Sequence, residues 1–156
     1  MKARVDAVAV MLRGGVDVDD VCGLEVGYAP PFASAMDVMN NAGNSLDNIL
    51  AGTNRPIDAV DFLQEYKAGH RRVLDIRGER DAAPFVEKYG PRWFNIPQGE
   101  LRTRYSELSA DEPLFIICDT GARSYESQVL LGSRGITDTL QVQGGYAMIK
   151  MLDPEF

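Results

Sequence analysis

The chain predicts an α/β fold, a parallel sheet with helices on both faces, preceded by a small α-helical arm. Three observations carry that expectation. Short, nearly unbroken apolar runs, Val73–Ile76 and Leu114–Ile117 among them, suit strands buried on both faces. These runs alternate with amphipathic stretches of helical spacing, the order that crossover helices impose on a parallel sheet. The first fifty residues, in contrast, read as helices around a Pro-Pro turn.

Taken in order, Lys2 to Arg13 predicts a helix with Val5, Val8 and Leu12 on one side and Gly14-Gly15 as its stop. Asp17 to Asp20 opens a short helical turn. The next helix sets Val38, Met39, Ala42, Leu46, Ile49 and Leu50 on one face, with Asp37 as its cap. Gly52-Thr53-Asn54-Arg55-Pro56 is a polar turn that reads as a linker, dividing the chain into an arm, residues 1–52, and a domain, residues 53–156. The domain then predicts a helix over Asp58–Lys67 ended by Gly69, a strand at Val73–Ile76 and a helix near Ala82–Lys88. A short strand at Phe94–Ile96, a helix at Gly99–Leu108 and the strand reaching Ile117 follow. A helix from about Arg123 to Gly132, a strand near Asp138–Val142 and a last helix from Gly145 complete the order.

Composition narrows the function classes. The 156 residues carry 23 Asp and Glu against 16 Lys and Arg, a formal charge of −7, so no basic face for nucleic acid is expected. Two cysteines make no disulfide framework, and no signal peptide or membrane-spanning run is visible, which predicts a cytoplasmic protein. No Gly-x-Gly-x-x-Gly follows a strand, so neither a flavin nor a nicotinamide cofactor is expected, and no metal.

The candidate chemistry centres on Cys118. It ends the apolar run Leu114–Ile117 and opens Asp119-Thr120-Gly121-Ala122-Arg123-Ser124, with a helix pattern beyond. A cysteine on such a strand–loop–helix faces backbone N–H groups and the positive end of a helix, a setting that favours a nucleophilic thiolate. Cys22, among acidic and apolar residues, reads as structural. His70, the only histidine, reads as a bystander.

The residues around Cys118 resemble the active-site loop of the rhodanese sulfurtransferase family, Cys-x-x-Gly-x-Arg-[Ser/Gly], through Cys118, Gly121, Arg123 and Ser124. The resemblance extends upstream to Val73-Leu74-Asp75-Ile76-Arg77 and Asn95-Ile96-Pro97, and downstream to Gln143-Gly144-Gly145-Tyr146, covering about Pro56 to the C-terminus. It implies a rhodanese-like sheet and a two-step sulfur transfer through a Cys118 persulfide, from thiosulfate, polysulfide or a small-molecule persulfide to a thiol or other acceptor. Backbone N–H groups from Asp119 to Ser124 would hold the terminal sulfur, with Gly121 permitting the turn and Thr120, Ala122 and Ser124 as loop wall. Arg123 either braces the loop and attracts an anionic donor, or forms a surface ion pair. Asp75 and Arg77 either order the pocket or form a structural salt bridge. Asp119 departs from the family, where a basic or neutral residue commonly follows the cysteine. A carboxylate there repels a dianion such as thiosulfate unless it points to solvent.

The arm has a second resemblance. Tyr28-Ala29-Pro30-Pro31-Phe32-Ala33-Ser34, Asp37 and the following Asn-x-Ala-Gly of Asn40-Asn41-Ala42-Gly43 resemble the end of the dimerisation domain of coenzyme A-disulfide reductases, flavoproteins some of which carry a rhodanese domain fused at this point. That resemblance implies a flavoprotein disulfide reductase or coenzyme A as partner and a homodimer formed through the arm. Tyr28 would reach a partner's active site or serve as an interface aromatic.

Two rival classes stand beside the sulfurtransferase. A phosphatase on the same fold needs Cys-x5-Arg, and position 124, where that Arg would fall, is Ser. A non-catalytic rhodanese-like module would bind or assemble a coenzyme A-disulfide or persulfide reductase system; such modules usually lose the loop cysteine, which is present here.

Overall fold

The computed structural model describes residues 2–27, 31 and 34–156. The chain divides into two compact units, residues 1–53 and 54–156.

The first unit consists of α1 (Lys2–Gly14), α2 (Val18–Cys22) and α3 (Val38–Leu50). Asp17 and Asp37 cap α2 and α3, each in a reciprocal box in which the third helical residue, Asp20 or Asn40, reaches back to the cap N–H. Asn40 is also the knot of the unit. Its buried side-chain amide donates to the carbonyls of Cys22 (3.0 Å) and Leu24 (2.8 Å), fixing the chain that leaves α2. Gly43 lets α3 approach α2 closely, since a Cβ there would lie 2.9 Å from the Cys22 nitrogen. The apolar stripes foreseen in this unit are covered only in part. Met39 is buried, whereas Val5, Leu12, Val38, Leu46 and Leu50 are exposed, and no side chain of α1 is buried. Tyr28 lies outside the described residues.

The second unit is a five-stranded, wholly parallel sheet in the order β1-β5-β4-β2-β3. Its elements are β1 (Pro56–Ile57), α4 (Ala59–Ala68), β2 (Arg72–Asp75), α5 (Glu79–Tyr89) and β3 (Trp93–Asn95). They continue with α6 (Gln98–Arg104), β4 (Leu114–Ile117), α7 (Ala122–Gly132), β5 (Thr139–Val142) and α8 (Gly145–Leu152). Side chains alternate along each strand, so two cores form. On one face Val73, Phe115, Ile117 and Val142 pack with Phe62 and Tyr66 of α4, Phe85 of α5 and Ile149 of α8. On the other, Leu74, Leu114, Ile116 and Cys118 pack with Leu101 of α6 and Leu131 of α7. The expected sheet with helices on both faces is what the structure shows.

Four expectations are corrected. Pro56 is not the end of a linker: Pro56–Ile57 form β1, pairing with Gln141 and Val142 of β5. The helix expected near Ala82 starts three residues earlier, because the carbonyl of Gly78 accepts from the N–H groups of both Asp81 and Ala82. The strand expected at Phe94–Ile96 is shifted by one to Trp93–Asn95, in register with Val73–Asp75. The helix expected to run to Leu108 stops at Arg104 and tightens into a 3₁₀ turn over Tyr105–Glu107.

Candidate active site

Cys118 occupies the point at which β4, the middle strand, hands over to α7. It is fully buried, and its thiol sits in a sharp turn closed by the N–H of Gly121, 3.0 Å from Sγ. Gly121 adopts φ 103°, a conformation that an L side chain rarely enters, and this lets the chain reverse into α7 directly after the cysteine. Ala122, Arg123 and Ser124 form the first turn of α7, whose N–H groups have no partners within the helix. The turn thus sets the Gly121 N–H against the thiol, at the N-terminus of α7.

A second turn clamps the first. After β5 the chain passes through Gly144 (φ 71°) and Gly145 (φ 55°) into α8. The N–H of Tyr146 donates to the Cys118 carbonyl (2.8 Å) and that of Ala147 to the Asp119 carbonyl (3.0 Å). Gly145 is pressed on the loop so closely that a Cβ would lie 2.7 Å from both the Asp119 carbonyl carbon and the Thr120 nitrogen. The glycine pair was legible in the sequence, but not its contact with the cysteine loop. A double glycine directly after a strand is the signal for such close backbone approach.

Asp75 and Arg77 form a buried ion pair at the end of β2, with Nη2 to Oδ2 at 2.6 Å and Nε to Oδ1 at 3.0 Å. Trp93 Nε1 donates to the same carboxylate (3.1 Å), and Asn95 Nδ2 donates to the carbonyls of Asp75 (2.7 Å) and Arg77 (2.9 Å). The guanidinium lies against the rings of Phe85 and Tyr146, 4.8 and 4.4 Å from their centres, while the two rings meet edge to face at 5.0 Å. The pair is a buried salt bridge, one of the two roles expected for it, and its guanidinium lies against the ring of Tyr146, whose N–H donates to the Cys118 carbonyl. Trp93 and Tyr146 are the partners that the sequence did not point to.

The remaining loop side chains face outward, except Ser124. Asp119 and Arg123 form an ion pair on the solvent side, each about half exposed. Thr120 and Ala122 are exposed, while Ser124 is buried at the start of α7 with its hydroxyl unpartnered. His70 precedes β2 and therefore lies at the end of the sheet opposite Cys118. Cys22 belongs to the first unit, where burial first, then Asp47 and Asp19, push its thiol pKa above the ordinary value. Among the described residues, no helix is long and apolar enough to cross a membrane.

No family model matches the chain. Reduced CoADR-RHD of Bacillus anthracis superposes with a TM-score of 0.83 and 28% identity over 99% of this chain and 27% of that one. An NAD-dependent persulfide reductase from A. fulgidus gives a TM-score of 0.73 and 26% identity over 93% of this chain and 25% of its own. The chain therefore spans about a quarter of each of these two proteins. A rhodanese-related protein from Thermoplasma volcanium, 30% identical, matches 64% of this chain and 93% of its own, with a TM-score of 0.52. This chain belongs to the rhodanese-like proteins, a sulfurtransferase-type domain preceded by a region related to CoADR-RHD.

Proposed function

We propose that the second unit is a sulfurtransferase that carries sulfane sulfur on Cys118. The observation that carries this reading is the Gly121 N–H held 3.0 Å from Cys118 Sγ, in the turn that leads directly into the N-terminus of α7. Such a turn stabilises a thiolate and, after transfer, the outer sulfur of a persulfide. In the first step the Cys118 thiolate attacks the outer sulfur of a donor R–S–SH. The donor S–S bond breaks, R–S⁻ leaves with the electron pair, and Cys118–S–SH forms. In the second step an acceptor thiolate attacks that outer sulfur, taking it as a new persulfide and restoring the Cys118 thiolate. The two steps together consume no oxidant or reductant. Asp119, Thr120, Ala122, Arg123 and Ser124 wall the loop, and Asp75 and Arg77 support it.

The two neighbours that match nearly the whole chain carry the names of reductases, one of them a persulfide reductase. This supports a thiol acceptor that belongs to such a system, coenzyme A or a flavoprotein disulfide reductase. The exposed apolar side chains of the first unit support dimerisation through the arm. Two free cysteines suit a reducing, cytoplasmic setting.

The test is sulfur loading. The native chain and Cys118→Ser are incubated with thiosulfate or glutathione persulfide and followed by intact mass and by transfer to a second thiol. A gain of one sulfur, about 32 Da, with turnover in the native chain and neither in the variant, is the expected result. Absence of both in the native chain with every donor overturns the reading and leaves a binding or assembly module.

A further inference from the structure

We infer that the Asp119–Arg123 ion pair sets the charge of the donor that the loop accepts, selecting organic sulfane donors over inorganic thiosulfate. This rests on the reading of Cys118 as the sulfur carrier.

Two arginines are tied to the cysteine loop, and each is already matched by a carboxylate. Arg77 is buried in its two-pronged pair with Asp75, beneath Trp93 and Tyr146. Arg123, one helical turn beyond Asp119, points its guanidinium back to the Asp119 carboxylate on the solvent side of the loop. The other outward side chains, Thr120 and Ala122, are uncharged. A donor that reaches Cys118 therefore meets the Gly121 N–H and a loop of no net side-chain charge. Fixed side-chain charge at a site attracts or repels ions before they bind, so a neutralised pair removes the attraction that a free guanidinium would exert.

Donor chemistry separates on this feature. Thiosulfate brings two negative charges on atoms directly around the transferred sulfur. Its reaction, Cys118–S⁻ with S–SO₃²⁻, forms Cys118–S–S⁻ and expels SO₃²⁻, so three negative charges crowd the turn throughout. A protonated organic persulfide, R–S–SH, brings none at the reacting sulfur and sends one away on R–S⁻. Its other charged groups lie several bonds away. The loop with its arginine already occupied suits the second class.

The experiment measures kcat/KM for thiosulfate and for glutathione persulfide in the native chain, Asp119→Asn and Arg123→Gln, at low and at physiological ionic strength. Intact mass confirms loading of Cys118 in each case. In Asp119→Asn the guanidinium is released, and the thiosulfate-to-persulfide ratio is expected to rise about tenfold. In Arg123→Gln the carboxylate is left alone and the ratio falls. Added salt shrinks both changes, because exposed charges are screened. A ratio unchanged within about twofold in Asp119→Asn, measured against this steering expectation while Cys118 still takes up sulfur, overturns the inference and leaves the sulfurtransferase standing. Failure of the native chain to load sulfur from either donor overturns both together.

Discussion

The guanidinium of Arg77 lies 4.4 Å from the centre of the Tyr146 ring, and the N–H of the same tyrosine holds the Cys118 carbonyl at 2.8 Å. A buried charge just beyond β2 is thereby linked to the backbone of the cysteine loop through one residue of α8. Arg77 touches no reacting atom in this arrangement, so its role is to position.

Replacing Arg77 by Met strands the buried Asp75 carboxylate, with Trp93 Nε1 as its remaining side-chain donor. Removal of one partner of a buried pair typically destabilises by about 3–5 kcal/mol. Arg77→Lys keeps the charge but loses the fork and the guanidinium contact with Tyr146, and is expected to fall between native and Arg77→Met. Urea unfolding of both variants checks the order; equal stability of Met and native would refute the pair's structural weight.

Gly145→Ala tests the clamp. The added methyl meets the backbone of Asp119 and Thr120 at a residue whose φ is +55°, so the loop must retreat from α8. Strain of this kind costs about 1–3 kcal/mol, small enough for the sheet to persist. Sulfur transfer is expected to drop steeply while the far-ultraviolet spectrum is kept. Full activity in this variant would mean that the loop does not depend on its contact with α8.

Cys22 should be a slow thiol. Burial, Asp47 and Asp19 all raise its pKa, so its thiolate fraction near neutrality is small. Alkylation of Cys22 by iodoacetamide, followed by peptide mass in the Cys118→Ser background, is expected to accelerate with rising pH. Asp47→Asn should quicken it at constant pH; no change would contradict the electrostatic contribution.

Asp37 gives the first unit an acid limit. The hydrogen bond from Arg4, then the N–H of Met39, hold its carboxyl below the ordinary carboxylate range. A depressed native pKa adds stability above the unfolded value, and this is lost as pH falls through the native one. Helical signal should therefore decline on acidification, and Arg4→Met should lessen that dependence. An identical acid profile in Arg4→Met would show that the pair adds nothing.

The parts of the fold that were legible are those with a long enough pattern. Leu114–Ile117 announces a strand because four consecutive apolar residues need burial on both faces, and Phe115 and Ile116 do enter opposite cores. Pro56–Ile57 announces nothing, because two residues have no period; only pairing with β5 makes them a strand. In α3 the spacing located an apolar stripe but not its cover, which burial of Met39 and exposure of Leu50 reveal. At the candidate site, the order Cys118, Gly121, Arg123 could be read directly. The clamp by Gly145 and the contact of Arg77 with Tyr146 could not, since both join segments that are distant in the sequence.

The shortness of β1 has a consequence for any attempt to isolate the second unit. β5 is flanked by β4 on one side and by those two residues on the other, with Arg55 and Ile57 carbonyls accepting from Gln141 and Gln143. A truncation that starts at Asn54 keeps this selvage. One that starts at Ala59 would strip it and lay open a ready template for intermolecular strand addition, beside the Gly144-Gly145 turn that steadies Cys118. The smaller of the sheet's two edge strands thus shields β5 from self-association.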